Sequence, residues 1–149
     1  MRFFKGVLEF ISFNNSEEHN EFIDELVKDK DVKKYLKGLK SKIKKINTNS
    51  MYQNGYIVRD IQKDELIGYL YLDKPYEKEM DISYAVHPDY RLEGYGRMIL
   101  KSSSDFILEK DKSIENIALI INPDNYASKR VAESVGFVQE GNIKYSRKR

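Results

Sequence analysis

Cysteine is absent from this chain of 149 residues, and histidine is scarce. The absence of cysteine excludes disulfides, thiolate zinc sites, iron–sulfur clusters and catalysis by a cysteine nucleophile. Only His19 and His87 are present, so we expect no metal site built from several histidines. No segment approaches the run of about 18 apolar residues that a membrane span needs, so no membrane partner is expected.

The chain also lacks an excess of charge of either sign. It has 26 lysines and arginines against 24 aspartates and glutamates, a formal net charge of +2. This balance argues against a nucleic-acid partner held by bulk charge. The apolar N-terminal stretch is interrupted by Lys5 and Glu9 and has no small-residue cleavage site, unlike a signal peptide. We therefore expect a cytoplasmic protein.

Length and composition predict a single domain over residues 1–149, because domains typically hold about 100–200 residues. Apolar residues make up 40% of the sequence, which is enough for one core. No internal repeat, low-complexity tract or linker rich in proline, glycine or serine divides the chain.

The first third of the chain predicts one strand and two helices. Residues 7–13 are apolar enough for a first strand. Asn15 or Ser16 is a candidate N-cap, with Glu18 in the capping-box position after Asn15. Apolar residues spaced by three and four predict a second helix over residues 31–46, whose other face is rich in lysine.

From residue 52 the apolar period changes to two, which is typical of strands. A hairpin is predicted with strands at 55–60 and 66–72, followed by a charged loop over 73–79 and a strand over 80–87. The remaining predicted elements are a helix over 96–109, a strand over 117–121, a helix over 126–135, and closing strands over 137–140 and 143–146. This order predicts a mixed α/β sheet.

A glycine loop between the strand at 80–87 and the next helix is the most informative segment. Gly94 and Gly96 let backbone N–H groups approach an anion at the start of a helix, and Arg91 and Arg97 bracket the loop. The loop does not fit a P-loop, since no lysine follows Gly96, nor a dinucleotide fingerprint, since Ile99 stands where the third glycine belongs. From the loop alone, an anion site and a plain turn into a surface helix remain open.

Two motifs of the chain resemble the GCN5-related N-acetyltransferase (GNAT) superfamily. The run Arg91-Leu92-Glu93-Gly94-Tyr95-Gly96 matches the Gln/Arg-x-x-Gly-x-Gly/Ala acetyl-CoA motif. The segment from Asn122 to Phe137 is similar to the Asn-x-x-Ser-x-x-Val-x-Glu-x-x-Gly-Phe block of the RimJ/RimL-type branch, and that similarity continues to Gly141. The resemblance implies a mixed sheet of about six to seven strands with about four helices. It also implies a splay between the family's fourth and fifth strands, here residues 80–87 and 117–121.

The resemblance assigns cofactor-binding roles as well. The backbone at Val86 and His87 is expected to pair with the pantetheine arm and to supply the oxyanion donor. Asn125 and Ser128 are expected beside the thioester. Backbone N–H groups of the loop are expected to cradle the pyrophosphate, namely those of Arg91, Leu92, Glu93, Gly94, Tyr95, Gly96 and Arg97.

The catalytic roles are less well defined by the resemblance. The tyrosine that the family often places seven residues after the motif asparagine, as acid for the thiolate, is Ala132 here. Ser128 matches the serine of the RimJ/RimL-type branch and is the first candidate acid. Tyr126 offers a second hydroxyl group nearby. The alternative for Ser128 is a small helix residue that only packs on the sheet. Asp81, where the family often has an acidic residue, is the candidate base, with a solvated strand-end charge as the alternative.

The implied activity is transfer of an acetyl group from acetyl-CoA, a co-substrate, directly to a primary amine without a covalent enzyme intermediate or a metal. The acceptor is a peptide N-terminus or a small-molecule amine, and the protein a monomer or homodimer. An α-amine is favoured because roughly 10–15% of it is neutral at pH 7, against about 0.04% of a lysine side chain. Lysines on the second helix are expected to disfavour polycations. The alternative is a non-catalytic acyl-CoA-binding or sensing module on the same fold.

Overall fold

A mixed sheet of eight strands forms the centre of the protein. In the computed structural model, which describes residues 2–36, 38–40, 51–52 and 54–149, the strands lie in the order β1-β2-β3-β4-β5-β6-β8-β7. They are β1 (Arg2–Lys5), β2 (Leu8–Ser12), β3 (Asn54–Asp60), β4 (Glu65–Tyr76), β5 (Glu79–Val86), β6 (Asn116–Ile120), β7 (Val138–Gln139) and β8 (Lys144–Lys148).

All neighbouring strands in this sheet are antiparallel except β5 and β6. The parallel ladder of β5 and β6 pairs Glu79 with Asn116, Met80 with Ile117 and Asp81 with Ala118, and then stops. Because β5 continues to Val86, its last five residues have β4 on one side and a gap on the other. The mixed sheet with a splay is therefore confirmed.

Four α-helices whose bounds are described, one 3₁₀ turn and the helical residues 39–40 are found in the part of the chain that the structure describes. The helices are α1 (Glu17–Lys28), α2 (Lys30–Tyr35), α3 (Tyr95–Lys110) and α4 (Tyr126–Ser134), and the 3₁₀ turn is Pro88–Tyr90. None of these helices has the length and apolar composition that a membrane span requires.

The N-terminal third differs most from its prediction. Residues 2–5 form an additional strand, β1, paired with β2, which raises the strand count above the expected six to seven. Ser16 is the N-cap of α1 and accepts a hydrogen bond from the His19 N–H at 3.2 Å, so Asn15 and Glu18 form no capping box. The second helix ends at Tyr35 instead of continuing to residue 46, and residues 41–50 lie outside the described part.

The hairpin of β3 and β4 is confirmed, but the charged loop predicted over 73–79 is mostly strand. β4 runs on to Tyr76 because Asp73 pairs with Asp81 and Tyr76 with Glu79 across the sheet. The turn that joins β4 to β5 is therefore only residues 77–78. At the C-terminus, the strand predicted over 137–140 is shorter than expected and comprises only the two residues of β7.

Apolar side chains fill both faces of the sheet. On one face, α3 and α4 cover a core that includes Met80 and Ile82 of β5. On the other face, α1 buries Phe22 and Leu26 against a smaller core that includes Ala85. Successive residues of β5 thus serve opposite cores, as the alternation of a strand requires.

Gly68 of β4 lies close to both β5 and α3. A Cβ atom there would lie 2.7 Å from the Ala85 carbonyl oxygen and 2.8 Å from the Ile99 Cδ1 atom. We expect Gly68→Ala to lower the free energy of unfolding by about 1–3 kcal/mol, because the backbone of β5 and the end of the Ile99 side chain must both move.

Urea denaturation of Gly68→Ala beside Gly96→Ala checks this expectation. A Cβ at Gly96 meets nothing nearer than 3.6 Å, so the second variant controls for adding a methyl group. Equal stability of the two variants would show that the approach to Gly68 is not as tight as the structure has it.

Candidate active site

A cleft of about 680 Å³ opens where β5 and β6 part. Tyr84 and Val86 line it from the face of the sheet covered by α3 and α4, and Ser83 and Ala85 from the opposite face. α2 contributes Asp31, Val32, Tyr35 and Leu36, and the start of α4 contributes Asn125, Tyr126, Ser128, Arg130 and Val131. The cleft therefore reaches through the sheet.

The backbone of β5 presents free hydrogen-bonding groups to this cleft. The His87 N–H donates to the Ile67 carbonyl at 2.9 Å, which makes Val86 and Gly68 a non-hydrogen-bonded pair of the antiparallel ladder. The N–H and C=O of Val86 therefore point away from β4, toward the gap. By the same alternation, so do those of Tyr84.

His87 does not fit the backbone role expected for it. Its N–H is bonded to Ile67, and its carbonyl accepts from the Tyr90 N–H at 2.9 Å. Its ring faces α1, where Nε2 lies 3.1 Å from a Glu25 carboxylate oxygen, and Nδ1 accepts from the Asp89 N–H at 3.2 Å. The sequence did not reveal this because hydrogen-bond direction depends on register with β4.

The glycine loop delivers the N-terminus of α3 to the cleft. Gly94 is the N-cap with φ of 84°, a left-handed conformation that glycine adopts without strain, and no side chain caps the helix. The first N–H groups of α3 thus have no partner within the helix and carry its positive dipole end. Leu92, also left-handed at φ 64°, is fully exposed at the cleft, whereas Glu93 does not line it.

The arginines near the cleft fall into two groups. Arg91 is held by Asp29, with Nη2 to Oδ2 at 2.8 Å and Nη1 to Oδ1 at 3.3 Å, and this hydrogen bonding keeps the pKa of Asp29 below its usual value. Arg97 and Arg130 are exposed, line the cleft and form no ion pair within the described residues. Arg130, one turn after Tyr126 on α4, was not singled out from the sequence.

The start of α4 orients three side chains. The Asn125 Oδ1 atom accepts from the Ser128 N–H at 3.3 Å and caps the helix, and Asn125 lines the cleft. Tyr126 is 64% exposed at the cleft wall. Ser128 is half-buried and lines the cleft on the same side.

Tyr84 is the residue that sequence reasoning missed most clearly. Burial raises the pKa of its phenol to about 12, although the hydrogen bond with Ser128 acts in the opposite direction, so the phenol is protonated at neutral pH. Its place two residues before Val86, on the same face of β5, was the available signal.

Asp81 lies at the closed end of the splay and does not line the cleft. Burial raises the pKa of Asp81 to about 6, the carboxylates of Glu79 and Asp73 add to the effect, and Lys144 opposes it. Its Oδ1 atom is buried and has no hydrogen-bond partner in the described structure. Among the described residues, no group of histidine and acidic side chains is placed to hold a metal ion.

Comparison with known protein families places the chain. The family model described as the acetyltransferase (GNAT) domain matches residues 7–138. The chain belongs to the GNAT acetyltransferase family. It is therefore an acyltransferase by membership of that family. No match was found among curated proteins.

Solved structures of this family share the fold at low sequence identity. The GNAT-family acetyltransferase from Bacillus anthracis is 21% identical with a TM-score of 0.81, over 99% of this chain and 98% of that one. The ribosomal-protein-S5-alanine acetyltransferase from Vibrio fischeri is 14% identical with a TM-score of 0.73, over 99% and 96%. Spermidine N-acetyltransferase from Vibrio cholerae, solved with CoA and spermine, is 17% identical with a TM-score of 0.73, over 95% and 93%.

The raised pKa of Asp81 predicts that the free energy of unfolding depends on pH. The folded pKa of about 6 exceeds the ordinary value of 3.8, so the folded state binds more protons between those pH values. The free energy of unfolding therefore falls as pH rises through this window. We expect Asp81→Asn to raise the free energy of unfolding by about 1–2 kcal/mol at pH 7.5, allowing for solvent screening. At pH 4 the same substitution should change this free energy little.

Urea denaturation of the wild type and of Asp81→Asn at pH 7.5 and pH 4 measures this difference in the free energy of unfolding. Glu77→Gln, which removes an exposed carboxylate from the turn at 77–78, is the matched control and should show no such difference. Destabilisation by Asp81→Asn at pH 7.5 would contradict the prediction.

Proposed function

We propose that the protein transfers an acetyl group from acetyl-CoA directly to a primary amine, with the α-amine of a peptide or amino acid as the preferred acceptor. The observation that carries this proposal is a single cleft reaching through the sheet. One end has the unpaired N–H groups of α3, and the other is lined by α2. Such a passage allows two reactants to meet from opposite faces, which supplies the alignment that a two-substrate transfer needs.

The residues at the α3 end fit the chemistry of an acyl-CoA. The N–H groups at the start of α3 suit a pyrophosphate, and Arg97 and Arg130 supply the two unpaired cations beside it. Val86 offers a backbone edge for the amides of a pantetheine arm, and Asn125 a side-chain donor. The acetyl thioester, when bound, supplies an activated carbonyl and a thiolate leaving group.

Within this proposal, the chain's own groups stabilise charge and move protons. The Val86 N–H is the oxyanion donor, because it faces the gap while the His87 N–H is already bonded to Ile67. Ser128 supplies the departing sulfur with a proton, and Tyr126 is a second hydroxyl at the cleft. Asp81 does not touch the cleft, so its action as a base requires a water between it and the amine.

The acceptor end differs from the lysine-rich surface that the sequence suggested. α2 turns Asp31 and Tyr35 toward the cleft, while Lys34 is engaged with Asp124 at 2.9 Å. Lys34 therefore gives no reason to disfavour polycations, and the lysines at 37, 42, 44 and 45 lie outside the described residues. The proposed preference for an α-amine is based only on its larger neutral fraction near pH 7, compared with that of a side-chain amine.

An amine panel tests the reaction and its preference together. We expect thiol release from acetyl-CoA to be faster with a neutral peptide bearing a free N-terminus than with spermidine or kanamycin at pH 7. The advantage should narrow at pH 9, where side-chain amines gain neutral fraction. The same peptide with a blocked N-terminus is the matched control.

Each result of the panel has a defined meaning. Faster turnover of either polycation at pH 7 would reverse the preference. Tight acetyl-CoA binding without turnover of any amine would instead indicate a binding or sensing module.

The two unpaired arginines give a test of the cofactor end that needs no acceptor. Arg97→Ala and Arg130→Ala should each weaken CoA binding about tenfold or more, as expected for loss of a charge-assisted hydrogen bond, and the loss should shrink in added salt. Lys101→Ala removes an exposed cation from the same helix outside the cleft, where Lys101 pairs with Asp105. Calorimetry that finds all three variants equal to the wild type would place the cofactor elsewhere.

A further inference from the structure

Asp29 lies at the junction of α1 and α2 and makes hydrogen bonds with both helices. Its backbone N–H donates to the Leu26 carbonyl at 3.2 Å at the end of α1, and its own carbonyl accepts from the Lys33 N–H at 3.0 Å. Its Oδ2 atom accepts from the N–H groups of Asp31 and Val32, both at 3.1 Å, and so caps α2. The direction in which α2 leaves α1 is therefore set at this residue.

The carboxylate of Asp29 also binds the side chain of Arg91, which belongs to the glycine loop after β5. The Arg91 Nη2 atom lies 2.8 Å from Oδ2 and its Nη1 atom 3.3 Å from Oδ1, so both carboxylate oxygens accept. The Asp29 side chain is 13% exposed and that of Arg91 34% exposed, so solvent screens this pair less than an exposed one. Since the Arg91 N–H donates to the Pro88 carbonyl at 3.4 Å, protein groups engage both its side chain and its backbone donor.

α2 is a short helix that depends on contacts outside itself to keep its place. It has only six residues, Lys30–Tyr35, whereas isolated helices shorter than about 12–15 residues are marginal in water. Val32 is buried in the smaller core with Ala85, and Asp31, Tyr35 and Leu36 line the cleft. The position of this wall of the cleft is therefore decided by the contacts that anchor α2.

Ion pairs connect α2 to the loops that follow both of the strands that part. Asp29 pairs with Arg91 in the loop after β5, and Lys34 pairs with Asp124 in the loop after β6 at 2.9 Å. The Lys34 pair has both side chains about half exposed, a setting in which ion pairs add little stability. The forked and more buried pair of Asp29 and Arg91 is therefore the stronger connection.

We propose that Asp29 is a positioning residue for the amine acceptor, because its pair with Arg91 fixes α2, the acceptor wall of the cleft, against the glycine loop. This inference rests on the proposed acetyl transfer and adds to it the contact that keeps the two ends of the cleft in one geometry. Asp29 does not line the cleft, so it acts through α2 and touches neither reactant. Arg91 is in this scheme a connection to α2, whereas Arg97 and Arg130 bind the anionic cofactor.

Loss of the Asp29 charge should have different consequences at the two ends of the cleft. An asparagine oxygen can still cap α2, but the asparagine NH2 group faces the Arg91 guanidinium as one donor against another, so the connection is lost. At the cofactor end, removal of a carboxylate leaves Arg91 with one partner fewer, which makes the surroundings of an anion more positive. Acceptor binding should therefore weaken, while CoA binding should not.

Asp29→Asn is the direct test, with Asp24→Asn as its matched control. Asp24 makes an exposed ion pair with Lys40 at 2.8 Å and lies on α1 outside the cleft. The amine is the one that the wild type acetylates fastest among the neutral peptide, spermidine and kanamycin. At saturating acetyl-CoA, we expect Asp29→Asn to raise its KM about fivefold or more, with kcat within about twofold. The Kd for CoA should equal that of the wild type or be lower, and Asp24→Asn should match the wild type throughout.

Arg91→Gln separates a connection to α2 from a phosphate contact. This variant should raise the amine KM as Asp29→Asn does, with the Kd for CoA within about threefold of the wild type, unlike the loss expected for Arg97→Ala. The double variant should have an amine KM no higher than the worse single variant, because both changes remove one contact. Multiplied effects, or a loss of CoA affinity equal to that of Arg97→Ala, would overturn the inference.

Hydrogen exchange measures the anchoring of α2 without turnover. The N–H groups of Lys33 and Leu36 are bonded within α2 and its cap, at 3.0 and 2.9 Å. By mass spectrometry, we expect Asp29→Asn to exchange faster over residues 30–36 and as the wild type does over α3. Unchanged exchange over 30–36, an unchanged amine KM or weaker CoA binding in this variant would each overturn the inference and leave the proposed function intact. A wild type that binds CoA but acetylates no amine would overturn both.

Discussion

The function of this fold depends on where one parallel ladder stops. β5 and β6 pair over three residues on each strand and then separate, which leaves the last part of β5 hydrogen-bonded only to β4. Unpaired backbone groups need partners, so an open strand edge inside a protein is costly unless a ligand or water satisfies it. The gap beyond Asp81 and Ala118 thus makes a passage through the sheet and a row of unpaired backbone groups along one wall of it.

The charged side chains around that passage differ in whether they form ion pairs. Arg91, at the start of the glycine loop, is engaged by Asp29, the N-cap of α2, and so ties the loop to the opposite face of the sheet. Arg97 and Arg130 remain without ion pairs in the described part and flank the start of α3. Asp31 and Asp124, by contrast, pair with Arg91 and Lys34, so the unpaired positive charge of the cleft lies beside the start of α3.

Local patterns in the sequence predicted most of the fold. The features that were missed depend on contacts between residues that are far apart in the sequence. The glycine loop, the hairpin and α4 follow from turn chemistry and apolar period within a few residues, so their positions were predicted closely. The hydrogen bonds of the His87 backbone depend on register with β4, and the place of Tyr84 in the cleft depends on where β6 leaves β5; no local pattern encodes either. β1 was missed for a similar reason, since its strand character lies in pairing with β2.

The residue at the position of the family's frequent tyrosine offers no hydroxyl group and is part of the core. Ala132 is completely buried and belongs to the core between α4 and the sheet. A tyrosine there would need a cavity that the close packing of this core does not provide. Hydroxyl groups that line the cleft near position 132 come from the first turn of α4, at Tyr126 and Ser128, and from β5, at Ser83 and Tyr84. The small residue at position 132 thus belongs to the core, and the hydroxyl groups beside the cleft lie on the first turn of α4 and on β5.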